Sequence, residues 1–418
     1  MIAIANVSGF YGDRLAAARD MVEGGPIDVL CGDYLAELTM LILAKAQAKD
    51  PSAGYARTFV AQMEQVLATC VERGIKVVAN AGGLNPAGLA EALRELAARL
   101  GVPARIAHVE GDDLRGRLGG VEPPVDAERT VSANAYLGGW GIAQALRAGV
   151  DVVVTGRVTD ASLVVGPAAW WHGWGQEDWD RLAGAVAAGH VIECGAQATG
   201  GNYPFLTEIT DRRYPGFPIA EVAADGASVI TKHEDTGGLV SVGTVTAQLL
   251  YEIAGPAYLG PDVTTHFDTI HLGQDGPHRV RIDGVVGSPP PPTLKVALNE
   301  TGGYRNSMTM VLTGLDIEAK AAHAEHQLVD LLGGPDAVDE IDVRLLRFDT
   351  ADAPANERAT AHLRVTVKDQ DRHRVGRTFS NAVMEIALAG YAGFHTTSPP
   401  GQESAYGVYR PARVPRSA

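Results

Sequence analysis

DVVVTGRVTD, residues Asp151–Asp160, is a short apolar run that halts at a glycine and then presents an arginine and an aspartate. Three earlier stretches have the same shape. IAIANVSG (Ile2–Gly9) ends on Ser8 and Gly9, DVLCGD (Asp28–Asp33) on Asp33, and KVVANAGG (Lys76–Gly83) on Asn80 and Gly82. A helical pattern follows each. Strands that alternate with helices indicate a parallel sheet, in which all strands point one way. Their carboxyl ends then share one edge, and ligands bind in the crevice there. The four polar tips are therefore expected in one site, which is the main argument that this chain does chemistry.

Working outward, helices are expected around Arg14–Val22, from Tyr34 to about Ala46, in phase with Phe59, after Asn85-Pro86, around Tyr136–Leu146 and from Asp160, with a further strand at Arg105–Glu110. Asn85 before Pro86 is an N-cap and first-turn pair. The Tyr34 helix is apolar nearly all round, so burial is expected. The fold class is α/β, with a doubly wound, mostly parallel sheet over residues 1–205 carrying the site. Residues 206–293 read as a mixed β-rich continuation. Over 294–418 a β-α-β-β-α order suggests a C-terminal α+β (ferredoxin-like) lobe. Four of the five tryptophans fall within Trp170–Trp179, where they suit a helix clamp or a subunit contact, and a homo-oligomer is expected.

A net charge of −15 with no Lys/Arg-rich stretch argues against nucleic acid or an anionic membrane as partner. No basic segment precedes an apolar run at the start, and no apolar stretch reaches the roughly 18 residues of a membrane span. Three cysteines without metal-like spacing suit a reducing cytoplasm. Neither GxGxxG nor GxxxxGK[ST] occurs, so no nucleotide cofactor is expected. His266, Asp268 and His271 are weighed as metal ligands, but strand alternation sets His271 on the opposite face, and no metal is expected.

Each candidate has a functional and a plain reading. Asp33 and Glu37 stand one helical turn apart, where apolar surroundings would raise a carboxyl pKa for general acid–base work; alternatively Asp33 caps the helix and Glu37 finds a buried partner. The Arg157 fork suits a carboxylate, a phosphate or an anion beside a thioester, with Asp160 as its orienter or as a base; a simple ion pair is the alternative. Asn80, Gly82, Gly83 and Asn85 form a glycine loop entering a helix, whose N–H groups can receive an anion or merely make a tight turn. His190, Glu193 and Cys194 precede Thr199, Gly200, Gly201, Asn202 and Tyr203. There Cys194 is a nucleophile or a buried thiol, and Glu193 is an acid–base group with the Gly200–Asn202 backbone as oxyanion donor.

SGFYGDR (Ser8–Arg14), GDYLAELTM (Gly32–Met40), NAGGLNP (Asn80–Pro86), TGRVTDASL (Thr155–Leu163), GHVIECGAQATGGNY (Gly189–Tyr203) and GSPPPPTLKV (Gly287–Val296), in that order, resemble the AtuA family, named for acyclic terpene utilisation. The resemblance runs from the first strand through TGLDIEAKA (Thr313–Ala321). It implies catabolism of branched isoprenoid acids as CoA thioesters, alongside acyl-CoA carboxylases, dehydrogenases and hydratases. Some members carry or pair with a small domain bearing an ARSGDKGD-like motif, and because this sequence ends at VPRSA without it, either a separate small protein supplies it or this member works alone. The expectation is an enzyme of lyase or hydratase type acting through an enolate, with CoA only as part of the substrate. The rival expectation is a non-catalytic subunit that binds an acyl-CoA or assembles a partner.

Overall fold

The computed structural model describes residues 1–417 and divides into two compact units, one of residues 1–299 with 409–417, the other of residues 300–408. The first opens with β1 (Ile2–Asn6), α1 (Ala17–Glu23), β2 (Val29–Gly32), α2 (Glu37–Lys49), α3 (Arg57–Arg73), β3 (Lys76–Ala79), α4 (Pro86–Leu100) and β4 (Ile106–Val109). It continues through β5 (Thr130–Ala135), α5 (Trp140–Arg147), β6 (Val152–Thr155), α6 (Ser162–His172) and α7 (Trp179–Ile192). After these come β7 (Pro218–Val222), β8 (Ser228–Lys232), α8 (Val242–Leu249), β9 (Ala257–Leu259), β10 (Thr264–His266), β11 (His271–Gln274), β12 (Val280–Asp283) and β13 (Val286–Ser288).

The fold is mixed α/β around a nine-stranded sheet, in the order β11-β12-β8-β7-β1-β2-β3-β6-β4. Strands β1, β2, β3, β6 and β4 run parallel, and β7, β8, β12 and β11 extend the sheet antiparallel from β1. Side-chain alternation along the parallel strands feeds two cores. Ile4, Val29, Val78 and Val153 pack with Leu163, Val164, Leu182 and Val186 of α6 and α7. Ala5, Leu30, Val77 and Val152 pack with Met21, Phe59, Met63 and Leu93 of α1, α3 and α4. Burial on both faces explains why these strands lack polar alternation.

Two local expectations change. The helix expected from Tyr34 starts at Glu37, and it is not buried all round, since Leu38 and Ile42 are exposed. The delay has a cause: the Asn80 side chain accepts from the Tyr34 N–H at 2.7 Å and donates to Asp33 at 2.6 Å, which holds this segment out of helix. The second change is α7, whose residues Leu182–Ile192 are all buried. It packs on α6, β7, β8 and the small β13-β10-β9 sheet.

The long strand β14 (Thr293–Thr313) starts in the first unit and ends in the second. In the second follow α9 (Ile317–Leu332), β15 (Glu340–Arg347), β16 (Thr360–Asp369), α10 (Phe379–Ala389) and β17 (His395–Thr396), and then β18 (Ser404–Pro415), which returns to the first unit. The sheet order β15-β16-β14-β17 is antiparallel throughout. Alternate residues Leu363, Val365 and Val367 of β16 face Ala324, Leu328, Phe379 and Val383 of the two helices. Among the described residues there are ten α-helices, and no helix is long and apolar enough to cross a membrane.

Candidate active site

Asp33 follows β2 directly. Its N–H donates to the Ser8 carbonyl beyond β1 at 3.0 Å, and its Oδ1 accepts from the Leu35 N–H at 3.1 Å and from Asn80 Nδ2 at 2.6 Å. Three adjacent strand ends are thereby laced together. Asp33 does not cap α2, whose N-cap position is Ala36 without a side-chain cap. The loops approach closely. A Cβ on Gly82 would lie 2.5 Å from the Thr155 carbonyl oxygen, and one on Gly9 2.6 Å from the Cys194 carbonyl carbon. Glycine at these two places brings the β3 loop against β6, and the end of α7 against β1.

Arg157 follows β6. Its N–H donates to Asp112 Oδ2 at 2.8 Å, its Nη1 donates to Asp160 Oδ1 at 2.6 Å, and its guanidinium lies 4.3 Å from the Tyr136 ring centre. The Tyr136 hydroxyl donates to Glu37 Oε1 at 2.8 Å, and Lys295 Nζ stands 4.5 Å from the same ring. Asp33 is 5% exposed and Arg157 2%, whereas the Asp160 side chain is 24% exposed and Glu37 and Cys194 are half-buried. The cluster therefore meets solvent through Asp160 and its neighbours.

Electrostatics separates the carboxylates. Burial, then the charge of Asp160, holds Asp33 well above the ordinary carboxylate range, although Arg157 and Asn80 pull it down and Glu193 adds to the rise. Glu193 rises to about 7 through burial, against the opposing pull of His190. Asp112 rises to about 6, again through burial. Glu37 goes the other way: burial is outweighed by its own amide, Tyr136, Arg157 and Lys295, so it stays an anion. Burial thus favours the protonated form of Asp33, Glu193 and Asp112, and Glu193, at about 7, is placed to exchange a proton near neutrality. Cys194 is pushed up by burial and by Glu193, so its thiol is far from the thiolate a nucleophile needs.

His190 Nδ1 stands 3.1 Å from Glu193 Oε1, a charged approach without hydrogen-bond alignment. Glu193 Oε2, both His190 ring nitrogens and Arg157 Nε are buried with no hydrogen-bond partner among the described residues. Such groups are costly to seal away without partners, and several gathered in one region single it out as the candidate site.

The glycine segments are more self-contained. The N–H groups of Gly83, Leu84 and Asn85 donate to Asn80, Gly54 and Gly82, and Asn85 caps α4 through the Gly88 N–H at 2.9 Å. Gly200, Gly201 and Tyr203 donate within their own segment, Asn202 holds Gln197 at 2.9 Å, and Tyr203 holds Glu208. These amides make turns. Ser8 Oγ is likewise taken up locally, by the Phe10 carbonyl at 2.9 Å. His266 pairs with Ser288 at 3.0 Å, while His271 lies 3.6 Å from Asp283.

Sequence reasoning missed Asp112, Asn134, Tyr136, Tyr258 and Lys295. Asp112 receives both the Arg157 N–H and Asn134 Nδ2, each at 2.8 Å, and so fixes the loop that presents the guanidinium. Tyr258 belongs to the small sheet and stacks on Phe267, and the two rings wall His190 at 5.5 and 5.4 Å. No local signal marks these residues, whereas Lys295 sits inside the GSPPPPTLKV motif. A cleft of about 740 Å³ opens elsewhere, among Gly314–Ala319, Arg347 and residues 349–356. Its Arg347 is already paired with Glu318 and Asp349, so the buried proton-carrying groups, not this cleft, mark the candidate site.

A search among curated proteins found no match. The pattern of the acyclic terpene utilisation family protein AtuA matches residues 2–418, essentially the whole chain, and the chain belongs to that family.

Proposed function

We propose that the chain serves acyclic terpene utilisation as an acid–base enzyme. It acts on a branched or isoprenoid-derived acyl thioester, or its acid, by enolate-type lyase or hydratase chemistry. The observation that carries this reading is Asp33, a 5% exposed carboxyl held by Asn80 and raised well above its ordinary range beside the Arg157 guanidinium. A carboxyl with a raised pKa gives a proton to carbon or to a departing hydroxyl, and its conjugate base removes one from the carbon beside a thioester carbonyl. Arg157 supplies positive charge for the oxygen on which negative charge collects. Asp160 orients the guanidinium, and Glu193 is the second acid–base group. CoA enters as part of the substrate. The setting is the cytoplasm, with self-association and a separate small family protein as partners. The element order supports a doubly wound main sheet and a ferredoxin-like lobe as the finer description.

One observation favours a second reading, a non-catalytic acyl-CoA-binding or assembly subunit. Arg157 is already paired with Asp160 and stacked on Tyr136 in a nearly closed interior. Thermal-shift measurement against a panel of acyl-CoAs and free branched acids, with a turnover assay on each stabilising compound, separates the two. Asp33→Asn is expected to keep the shift and lose turnover by about 100-fold or more, the range typical of a lost acid–base group. Stabilisation without turnover by the native protein would instead assign the binding role.

A further inference from the structure

Resting on the acid–base reading above, we propose that His190 is a positioning residue: it holds Glu193 by Oε1 so that Oε2 is presented to the ligand's exchangeable hydrogen.

Four observations carry it. His190 and Glu193 lie three residues apart at the end of α7, with Nδ1 3.1 Å from Oε1. Both side chains are sealed, at 1% and 6% exposure. The imidazole packs against Tyr258, tilted at 53°, and Phe267, edge to face at 67°, and the His190 backbone carbonyl accepts from Gln248 Nε2 at 3.3 Å. Glu193 Oε2 is buried without a partner among the described residues, while the Glu193 carbonyl is reached by Asn6 Nδ2, tying this turn to the end of β1.

The charged surroundings are specific. Asp160 acts on both His190 and Glu193, Asp33 and Glu193 repel each other, Glu252 adds to the field on Glu193, and the Tyr251 carbonyl lies beside the imidazole. Tyr258 faces the same charges from the small sheet. Among these groups His190 is the cation that favours the ionised form of Glu193, against burial and the charges of Asp160 and Glu252. Burial works against a charged imidazole, but Glu193 outweighs it and raises His190 above its ordinary value. A carboxylate steadied at one oxygen and unpartnered at the other is a usable base, whereas a protonated carboxyl without the imidazolium is not.

The test uses the full-length protein with ¹³C-carboxyl-labelled glutamate and ¹⁵N-labelled histidine, titrated by NMR. His190→Gln is expected to move the Glu193 midpoint up by at least one pH unit, and Glu193→Gln to move the His190 midpoint down by a similar amount. Residues that merely pack together would leave each other's midpoints unchanged, and that result overturns the proposal. Should His190→Gln not fold, the Glu193→Gln arm decides alone. On any compound the native protein turns over, His190→Gln should shift the acidic limb of the rate profile upward with KM little changed, and an unshifted limb also overturns the proposal. Loss of the acid–base reading shows separately, as full turnover by Asp33→Asn.

Discussion

Two charge clusters, one in each unit, are handled in opposite ways. In residues 300–408, Arg347 pairs with Glu318 while both stay exposed, and half-buried Lys368 meets exposed Glu340. Such pairs are screened and contribute little to stability. In the first unit Asp33, Arg157, His190 and Glu193 are gathered in the interior, with unpartnered atoms left over. Sealing charge away is costly, and two or three well-placed hydrogen bonds do not fully offset it. Where Asp33, Arg157, His190 and Glu193 are buried together, that cost calls for a compensating role, which the proposed site supplies.

The sharpest way to break this contrast is to remove the buried cation. Arg157→Ala strands Asp160 and withdraws positive charge from Asp33, and taking one partner from a buried pair costs about 3–5 kcal/mol. Denaturant unfolding should show that loss, and turnover on any active compound should fall by about 1,000-fold, in line with removal of a transition-state charge contact. Native-like stability together with native turnover would mean that Arg157 is as dispensable as a surface arginine.

The pH dependence should differ in sign between the buried cluster of the first unit and the exposed pairs of the second. Asp112, at about 6 in the folded chain, binds protons more tightly than it does unfolded, as do Asp33 and Glu193. Their contribution is favourable at low pH and fades as pH rises from about 4 through 6 to 7. In the second unit Arg372 lowers Glu403 and Arg347 lowers Asp349, so stability there is lost as pH falls through the acid range. Hydrogen exchange followed by mass spectrometry at pH 4, 5.5 and 7 reads the units separately. Protection of β2, β3 and β6 should drop as pH rises, and that of β15 and β16 should drop as pH falls. Asp112→Asn should flatten the first trend, removing roughly 3 kcal/mol of pH-dependent stability at most. A common sign in both units would undo the comparison.

How far the sequence discloses this arrangement follows from the same contrast. Strands β1, β2, β3 and β6 are legible because each is an apolar run closed by a glycine or a polar residue, and Asp33, Asn80 and Arg157 are legible because they stand at those ends. Helix α7 is not. Its segment LAGAVAAGHVI is buried on every side, so no 3.6-residue alternation sets it apart, and the pairing of His190 with Glu193 at helical spacing goes unremarked. Tyr136, Asp112 and Tyr258 arrive from three elements separated by long intervals, and only folding shows that they border Arg157 or His190. The start of α2 is misplaced for a related reason: the Asn80 side chain, 46 residues from Tyr34, overrides local propensity.

The smallest expected effect is the control for all of these. Arg347→Gln removes a guanidinium that meets Glu318 at 2.6 Å and Asp349 at 2.6 and 2.8 Å, contacts as short as the Arg157–Asp160 pair. Distance alone would rank the two arginines as equals. Solvent decides otherwise: Glu318 is largely in water, and with Arg347 withdrawn water takes its place at the loop carboxylate Asp349, so Tm should move by less than about 2 °C and turnover should stay native. A large loss in Arg347→Gln would show that short contacts, not burial, govern the strength of charge pairing in this chain. The case for Arg157 as a functional group would then lose its physical basis.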